Sequence, residues 1–186
     1  SKLRMFMVLD SNSNLEMNNY ILHLETATKV CSVALSNNGN VVSLKESMSD
    51  GFIHSEALTL FIEDVMAEAN VSLSNLCAIS VSSGPGSYTG LRIGLSTAKG
   101  LCFALNIPLI SVETLSALKE LVQNGPHSII PMLDARRMEV YAQVFASDGT
   151  VIKALDAIVL DETSFLEFEP FIVLGDGAAK CKEMWG

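Results

Sequence analysis

The sequence predicts an α/β fold made of two similar lobes, the second of them apparently incomplete. Hydrophobic residues make up 49% of the 186 residues and charged residues 18%, which is enough apolar side chain for a buried core. Segments with the alternation of strands are interleaved with segments of helical period. The order of three strands followed by a helix begins near residue 20, and a similar run of strands restarts near residue 128. This restart indicates a duplicated lobe.

The first lobe is predicted to span residues 17–124. Its opening strands are joined by a hairpin, because Asn37-Asn38-Gly39-Asn40 is typical of a tight turn. Apolar residues then recur at helical spacing, with acidic residues on the opposite side. The expected strands are 20–25, 30–35, 41–45, 76–81 and 109–112, and the expected helices are 54–69, about 89–105 and 113–123.

The second lobe is predicted to span residues 125–186. Strands are expected at 128–133, at 138–146, from residue 150 and at 171–174, and few helical residues follow them. We therefore expect this lobe to be shorter than the first. Residues 1–16 are expected to form a disordered leader, since their five-residue apolar patch is too short for a secretory signal.

Charge and cysteine content narrow the classes of function. The 12 basic and 21 acidic residues give a net charge of −9, which opposes binding of a phosphate backbone by this chain alone. The four cysteines are widely separated and form no C-x-x-C pair, which favours reduced thiols in a cytosolic protein. No apolar run approaches the roughly 18 residues that a membrane span requires.

The middle of the chain carries almost no charge, since Arg92 and Lys99 are the two charged residues between Ala69 and Val112. A surface helix of a monomer needs one apolar face, yet the expected helix at about 89–105 has two stripes of apolar or small residues. The first stripe is Leu91, Leu95, Ala98, Cys102 and Leu105, and the second is Gly90, Ile93, Gly94, Thr97, Leu101 and Ala104. The helix is either covered by the 54–69 helix or left apolar for another protein, and both readings stay open.

A glycine-rich loop, Gly84-Pro85-Gly86, lies between a predicted strand and a predicted helix. Backbone N–H groups in such a place can bind an anion. The loop lacks the Walker sequence, and Pro85 removes one donor. A tight structural turn is therefore the favoured interpretation.

Acidic residues beside turns recur at strand ends in both predicted lobes. Together they could hold a metal-bound phosphate, although each alone is more typical of a turn or helix cap. The histidines are scattered and offer no catalytic triad or metal-ligand spacing. The residues of this potential cleft are Glu25, Thr28, Asp134, Arg136, Gly175, Asp176 and Gly177.

Five segments together resemble the bacterial TsaB family, also called YeaZ. They are ILHLETATKVCSVAL, HSEAL, SSGPGSYTGLRIGLSTAKGL, PLISVETL and DARRMEVYA. The resemblance covers about residues 20–178 and implies an actin-like ATPase fold (ribonuclease H-like) of two lobes. It also implies a role in making threonylcarbamoyladenosine (t6A) at position 37 of transfer RNA.

The resemblance further implies that the chain is a non-catalytic scaffold. Its expected partners are the transferase TsaD and the ATPase TsaE, with a homodimer when alone and transfer RNA bound only through the complex. The interface would lie on the two helices of the first lobe, with Gly90 and Gly94 permitting a close crossing and Arg92 pairing with a partner carboxylate. The expected interface residues are Leu58, Ile62, Met66, Gly90, Arg92, Ile93, Gly94, Thr97 and Leu101.

Departures from the related enzymes indicate a vestigial cleft. Thr114 and Leu118 stand where the sister enzyme has its two metal-binding histidines, and Glu25 stands where the family usually has Asp. We therefore expect no catalytic residue, no metal and at most weak residual ATP or ADP binding. The alternatives are an ATP-dependent phosphotransferase or ATPase using Glu25 and Asp134 around a metal, and a metallopeptidase, which the three histidines support poorly.

Overall fold

The computed structural model describes residues 18–48, 54–122 and 125–185, so the expected leader 1–16 lies outside the described residues. These residues form two compact units that divide between Val112 and Glu113. We call them the first and the second lobe. None of the described helices is both long and apolar enough to cross a membrane.

In the described part of the chain, the first lobe is a five-stranded sheet covered by helices. Its strands lie in the order β3-β2-β1-β4-β5, in which the β3–β2 and β2–β1 pairs are antiparallel and the β1–β4 and β4–β5 pairs are parallel. The elements are β1 (Tyr20–Glu25), β2 (Val30–Asn37), β3 (Asn40–Met48), α1 (His54–Glu68), β4 (Leu76–Ser82), α2 (Tyr88–Leu105) and β5 (Leu109–Val112).

Alternation along the strands places one row of side chains in the core of the first lobe. Leu22, Val33 and Ile79 are fully buried on that face of the sheet. Both helices pack there, α1 through its apolar side and α2 through Ala98 and Cys102. This arrangement explains why the helical period of residues 54–68 is strong: the stripe is the inner face of α1.

The second lobe repeats the plan of the first. Among the described residues its sheet has four strands in the order β8-β7-β6-β9, with β6, β7 and β8 antiparallel and β9 parallel to β6. Its core includes Ile130, Val140 and Val144. The elements are α3 (Thr114–Lys119), β6 (Ser128–Asp134), β7 (Glu139–Phe145), β8 (Val151–Val159), β9 (Phe171–Leu174) and α4 (Ala178–Trp185).

The position of α3 corrects the expected domain boundary at residue 124. Helix α3 packs against β6 and β7, and Leu115 on it is fully buried. The helix therefore belongs to the second lobe, twelve residues before the expected division. It is also shorter than the expected helix 113–123, ending at Lys119.

Candidate functional site

The turn between β1 and β2 packs directly on the start of α2. A Cβ atom built on Gly86 would lie 2.7 Å from Ala27 Cβ, and one on Gly90 would overlap the carbonyl oxygen of Thr26. One built on Gly94 would overlap the Thr26 hydroxyl. Thr26 and Ala27 are accordingly almost fully buried. Glycine is required at these positions because the turn approaches the helix backbone too closely for any side chain.

Hydrogen bonds lock this turn to the glycine-rich loop. The Ser87 N–H donates to the carbonyl of Ala27 at 2.6 Å, and the Thr26 hydroxyl donates to the carbonyl of Gly90 at 2.8 Å. The Ser87 hydroxyl in turn accepts from the Gly90 N–H at 3.2 Å and caps α2. The loop Gly84-Pro85-Gly86 is thus a tight strand-to-helix turn, and the N–H groups of Ser83 and Ser87 on either side of it have partners within the lobe.

This packing corrects the role expected for Gly90 and Gly94. Both were expected to let a partner helix cross closely, but both face Thr26 of the same lobe. Their small size follows from internal contacts with Thr26, which lies 64 residues before Gly90 in the sequence. A larger side chain at Gly94 therefore disturbs the lobe itself, and it cannot serve as a test of partner binding.

The apolar residues expected at the interface are also internal. Leu58, Ile62 and Met66 belong to the core of the first lobe and are no more than 7% exposed. Ile93 and Leu101 are half-buried and pack against the same core, and Thr97 is likewise half-buried. Apart from the exposed Ala104, the helical stripes predicted from the sequence therefore mark inner faces. Of the expected interface residues, Arg92 is the exposed one.

A different face of α2 is exposed. Phe103 is 92% exposed and Tyr88 is 75% exposed, and the guanidinium of Arg92 lies over the Tyr88 ring at 5.4 Å from its centroid. A Cβ atom on Gly100 would meet nothing within 4 Å. The spacing of these positions puts them on one side of the helix. We call this face the outer α2 surface, formed by Tyr88, Arg92, Ser96, Lys99, Gly100 and Phe103.

Phe103 and Gly100 were not expected from the sequence to be surface features. A signal was present, because Phe103 falls outside both stripes and lies on the side of the helix that carries Arg92 and Lys99. A large exposed aromatic residue on the charged side of α2 makes this face a candidate for a contact outside the lobe.

Glu25, at the end of β1, has its carboxylate engaged within the first lobe. One oxygen accepts the Ala27 N–H at 2.6 Å, and the other accepts the Ser82 hydroxyl. Burial raises the pKa of this carboxyl, and the hydrogen bonds from Ser82 and from the turn act in the opposite direction. Thr28, in the same turn, accepts the N–H of Val30 at 3.2 Å. The two residues therefore act as caps of the β1–β2 turn.

Asp134, at the end of β6, is engaged differently. Lys180 on α4 donates to its carboxylate at 2.6 Å and to the carbonyl of Glu139 at 2.8 Å. The same carboxylate oxygen accepts the N–H of Arg136, and the side chain of Asp176 accepts the N–H of Asp134 at 2.9 Å. The second lobe therefore neutralises its acidic strand end with an ammonium group.

The glycines of the second lobe repeat the close approach seen in the first. A Cβ atom on Gly175 would overlap the carbonyl oxygen of Met132, and one on Gly177 would lie 3.0 Å from the backbone of Leu133. Gly175 has a φ of +98°, which other residues rarely adopt. The Gly175-Asp176-Gly177 segment is thus the counterpart of the glycine-rich loop of the first lobe.

Metal-binding chemistry has little support in the described part of the chain. No three His, Cys, Asp or Glu side chains within it come together as a metal-binding group. Thr114 and Leu118 lie on α3, where the Thr114 hydroxyl is buried without a hydrogen-bond partner in the described structure. All four cysteines are free thiols, and Cys77 alone among them is exposed.

His23 belongs to a polar network on the face of the sheet opposite the α1 and α2 helices. Its Nδ1 lies 2.7 Å from the Ser80 hydroxyl, and its Nε2 lies 2.7 Å from the Ser36 hydroxyl. Burial lowers the pKa of His23 to about 4. The ring is therefore neutral near pH 7, so one nitrogen donates and the other accepts. His23 is a strand residue that satisfies two buried serines.

Comparison with known proteins adds to this geometry. Residues 53–170 match the family model described as TsaD, tRNA N6-adenosine threonylcarbamoyltransferase. The tRNA threonylcarbamoyladenosine biosynthesis protein TsaB of Escherichia coli is 35% identical over 130 residues, which are 69% of this chain and 55% of that protein. TsaB of Bacillus subtilis is 29% identical over 181 residues, or 88% of this chain and 74% of that protein.

A solved structure, YeaZ from Pseudomonas aeruginosa, is similar to this one with a TM-score of 0.75 and 26% identity, over 90% of this chain and 81% of that one. The expected fold, α/β with two lobes of the actin-like ATPase type, is confirmed. The chain spans about half the length of the first curated relatives it matches, at 55% and 51% of two of them.

Proposed function

Because the chain belongs to the TsaB/YeaZ family of t6A biosynthesis proteins, we propose that it is a non-catalytic subunit that binds and activates TsaD. The observation that carries this proposal is the outer α2 surface, which exposes Tyr88 with the Arg92 guanidinium over its ring and, about 22 Å further along the same side of the helix, Phe103. Exposed aromatic and arginine residues are typical of the centre of a protein interface. The cytoplasm, where transfer RNA is modified, is the compartment that fits this role.

Gly100 supports a helix as the occupant of this surface. Glycine inside a helix costs about 1 kcal/mol relative to alanine. Nothing in the described lobe lies within 4 Å of a Cβ at this position, so internal packing gives no reason for the glycine. A partner helix crossing at Gly100, with Phe103 one turn away, would use the space that the missing side chain leaves open.

The charges of the two helices suggest what the partner presents. Arg92 and Lys99 make the outer α2 surface basic in a chain whose net charge is −9. A partner with carboxylates at its interface would complement it. Exposed Glu56, Glu63 and Asp64 make α1 acidic, so a second copy could pair α1 with α2 when TsaD is absent. TsaE would join the complex at another place.

The internal partners of Glu25 and Asp134 support the absence of catalysis in this subunit. A nucleotide-bound metal would need these carboxylates, yet Ser82 with the turn N–H holds one and Lys180 holds the other. The role proposed for Glu25 and Asp134 is therefore to stabilise, each within its own lobe, the turn that follows its strand. This also fits the replacement of metal-binding histidines by Thr114 and Leu118.

Co-expression with TsaD tests the proposed interface. Phe103→Glu and Gly100→Leu should abolish co-purification and lower t6A formation in an assay with TsaD, TsaE and transfer RNA. The matched control is Val159→Glu, an exposed apolar position on β8 of the second lobe. Circular dichroism should show all three variants folded. Co-purification of Phe103→Glu at the level of the unmodified chain would exclude the outer α2 surface as the docking site.

Calorimetry with ATP and magnesium distinguishes the proposed non-catalytic subunit from the alternative, an ATP-dependent phosphotransferase or ATPase. Micromolar binding together with turnover by the isolated chain would favour that enzyme over a scaffold. The net charge of −9 predicts negligible affinity of the isolated chain for transfer RNA. Tight, salt-sensitive binding of transfer RNA by this chain alone would contradict the scaffold role.

A further inference from the structure

We propose that Glu25 is an internal ligand whose carboxylate fills a small oxyanion-binding site in the β1–β2 turn. The site consists of the backbone N–H groups of Thr26 and Ala27 and the hydroxyl of Ser82. This inference goes beyond the proposed function because it does not depend on which protein docks at α2.

The donors of this site converge on one point from two segments of the chain. The turn supplies N–H groups that follow β1, and the end of β4 supplies the Ser82 hydroxyl from the neighbouring parallel strand. Successive N–H groups of a turn aimed at one place form an anion-binding concavity. The Glu25 carboxylate accepts from both segments, so each of its oxygens is used.

The surroundings hold the site rigid. The carbonyl of Ala27 is engaged by Ser87, and the Thr26 hydroxyl is engaged by Gly90. Gly86, Gly90 and Gly94 leave the turn no room to shift towards α2. The N–H groups therefore keep their direction whether or not the carboxylate is present, which is the condition for an exchangeable ligand.

The size of the side chain defines the class of ligand. Replacing Glu25 by alanine removes one methylene and one carboxylate group, a volume that formate or acetate fills better than phosphate does. Glu25 itself is partly exposed, so a small ion has a route to the vacated place. In the unmodified chain the same donors are occupied, and the turn offers nothing to the phosphate groups of a nucleotide.

Rescue by small anions tests the proposal. The Tm of Glu25→Ala should rise by about 2–4 °C, saturably, with sodium formate or acetate compared with sodium chloride at equal ionic strength. The unmodified chain and Glu25→Gln should show no such rise, and Glu25→Ala with Ser82→Ala should lose most of it. Inorganic phosphate should be weaker than formate.

Several results would overturn the proposal. The first is a folded Glu25→Ala whose Tm does not change with formate. The others are an equal rise in the Tm of the unmodified chain, and a larger rise in the Tm of Glu25→Ala with phosphate than with formate. Where Glu25→Ala does not fold, Glu25→Gln removes the charge and keeps one acceptor oxygen for the Ala27 N–H, while its amide N–H group can donate to the Ser82 oxygen instead of accepting from it. Its Ala27 amide proton should then move upfield by NMR, and an unchanged Ala27 resonance would count against the internal ligand.

Discussion

The first lobe holds its acidic strand end with neutral donors, whereas the second lobe holds the corresponding residue with a lysine. Glu25 accepts from Ser82 and the turn, and Asp134 accepts from Lys180. Around each of them, glycines let a strand end approach a loop backbone closely. The duplicated backbone plan thus specifies where the acidic group lies, and nearby side chains decide how its charge is compensated. The two lobes should consequently respond differently to pH and to salt.

The largest expected effect on stability comes from adding a side chain to a glycine that contacts the backbone of a neighbouring strand end, in either lobe. Gly90→Ala and Gly175→Ala should each lower the free energy of unfolding by about 3 kcal/mol, because each new Cβ would overlap a carbonyl oxygen that other contacts hold in place. Urea denaturation followed by circular dichroism measures this. Gly100→Ala is the control, with open space at the site and an expected gain of about 1 kcal/mol from helix propensity.

An equal decrease in the free energy of unfolding of Gly90→Ala and Gly175→Ala would confirm that both lobes depend on the same kind of close contact between a glycine and a strand end. A loss in Gly90→Ala no larger than the change in Gly100→Ala would contradict the tight contact between Thr26 and α2.

The next largest effect is acid sensitivity confined to the first lobe. The lowered pKa of His23 means that the unfolded chain binds a proton between about pH 6.5 and 4 while the folded lobe does not. Stability should be complete above pH 6.5 and fall by up to about 3 kcal/mol as pH drops to 4. His23→Gln should flatten this part of the pH profile measured by urea denaturation.

At the equivalent place two residues before its acidic strand end, the second lobe has the fully buried Met132. Hydrogen exchange resolved to each lobe should therefore show faster opening of the first lobe at pH 5. Equal acid sensitivity of the two lobes would be inconsistent with the role of His23.

A smaller effect is expected from the ion pair of the second lobe. Lys180→Met should cost about 1 kcal/mol, because the Asp134 side chain is 48% exposed and solvent screens the pair. Raising the salt concentration should shrink the difference between Lys180→Met and the unmodified chain. A loss that is independent of salt would point to the hydrogen bond with the Glu139 carbonyl as the dominant interaction.

The smallest effect concerns Glu25 and has the opposite sign. Its raised pKa means that the folded lobe holds a proton that the unfolded chain has released, so stability falls as pH rises from the ordinary value of 4.5 to the folded value. Glu25→Gln removes this penalty and keeps one acceptor oxygen for the Ala27 N–H, while its amide N–H group can donate to the Ser82 oxygen, so it should be slightly more stable at pH 7. Below pH 4.5 the two proteins should converge, as thermal unfolding across pH would reveal.

Much of the fold follows from local patterns in the sequence. The strands at 20–25, 109–112 and 171–174 lie where alternation and turn residues predict them. The division between the lobes was placed too late, because a helical pattern does not tell which sheet the helix packs against. Helix α3 illustrates this, since it follows β5 of the first lobe in sequence but packs on β6.

The site was less predictable than the fold. The period of α2 correctly groups Gly90 and Gly94 with other small residues, but it cannot identify what approaches them. That contact is Thr26, 64 residues earlier than Gly90, and such pairings are invisible to spacing along one helix. Phe103 was not predicted as a surface residue because it lies outside both apolar stripes of α2, and the stripes mark mainly the residues that pack inside the lobe.

The contact between Thr26 and α2 also constrains the order of folding. The β1–β2 hairpin is local in sequence, yet its turn gains its hydrogen bonds from Ser87 and Gly90 only after α2 exists. During synthesis from the amino terminus, the opening hairpin must therefore wait for some sixty further residues before its turn is secured. A nascent first lobe should remain open to proteases and chaperones until the ribosome has released α2.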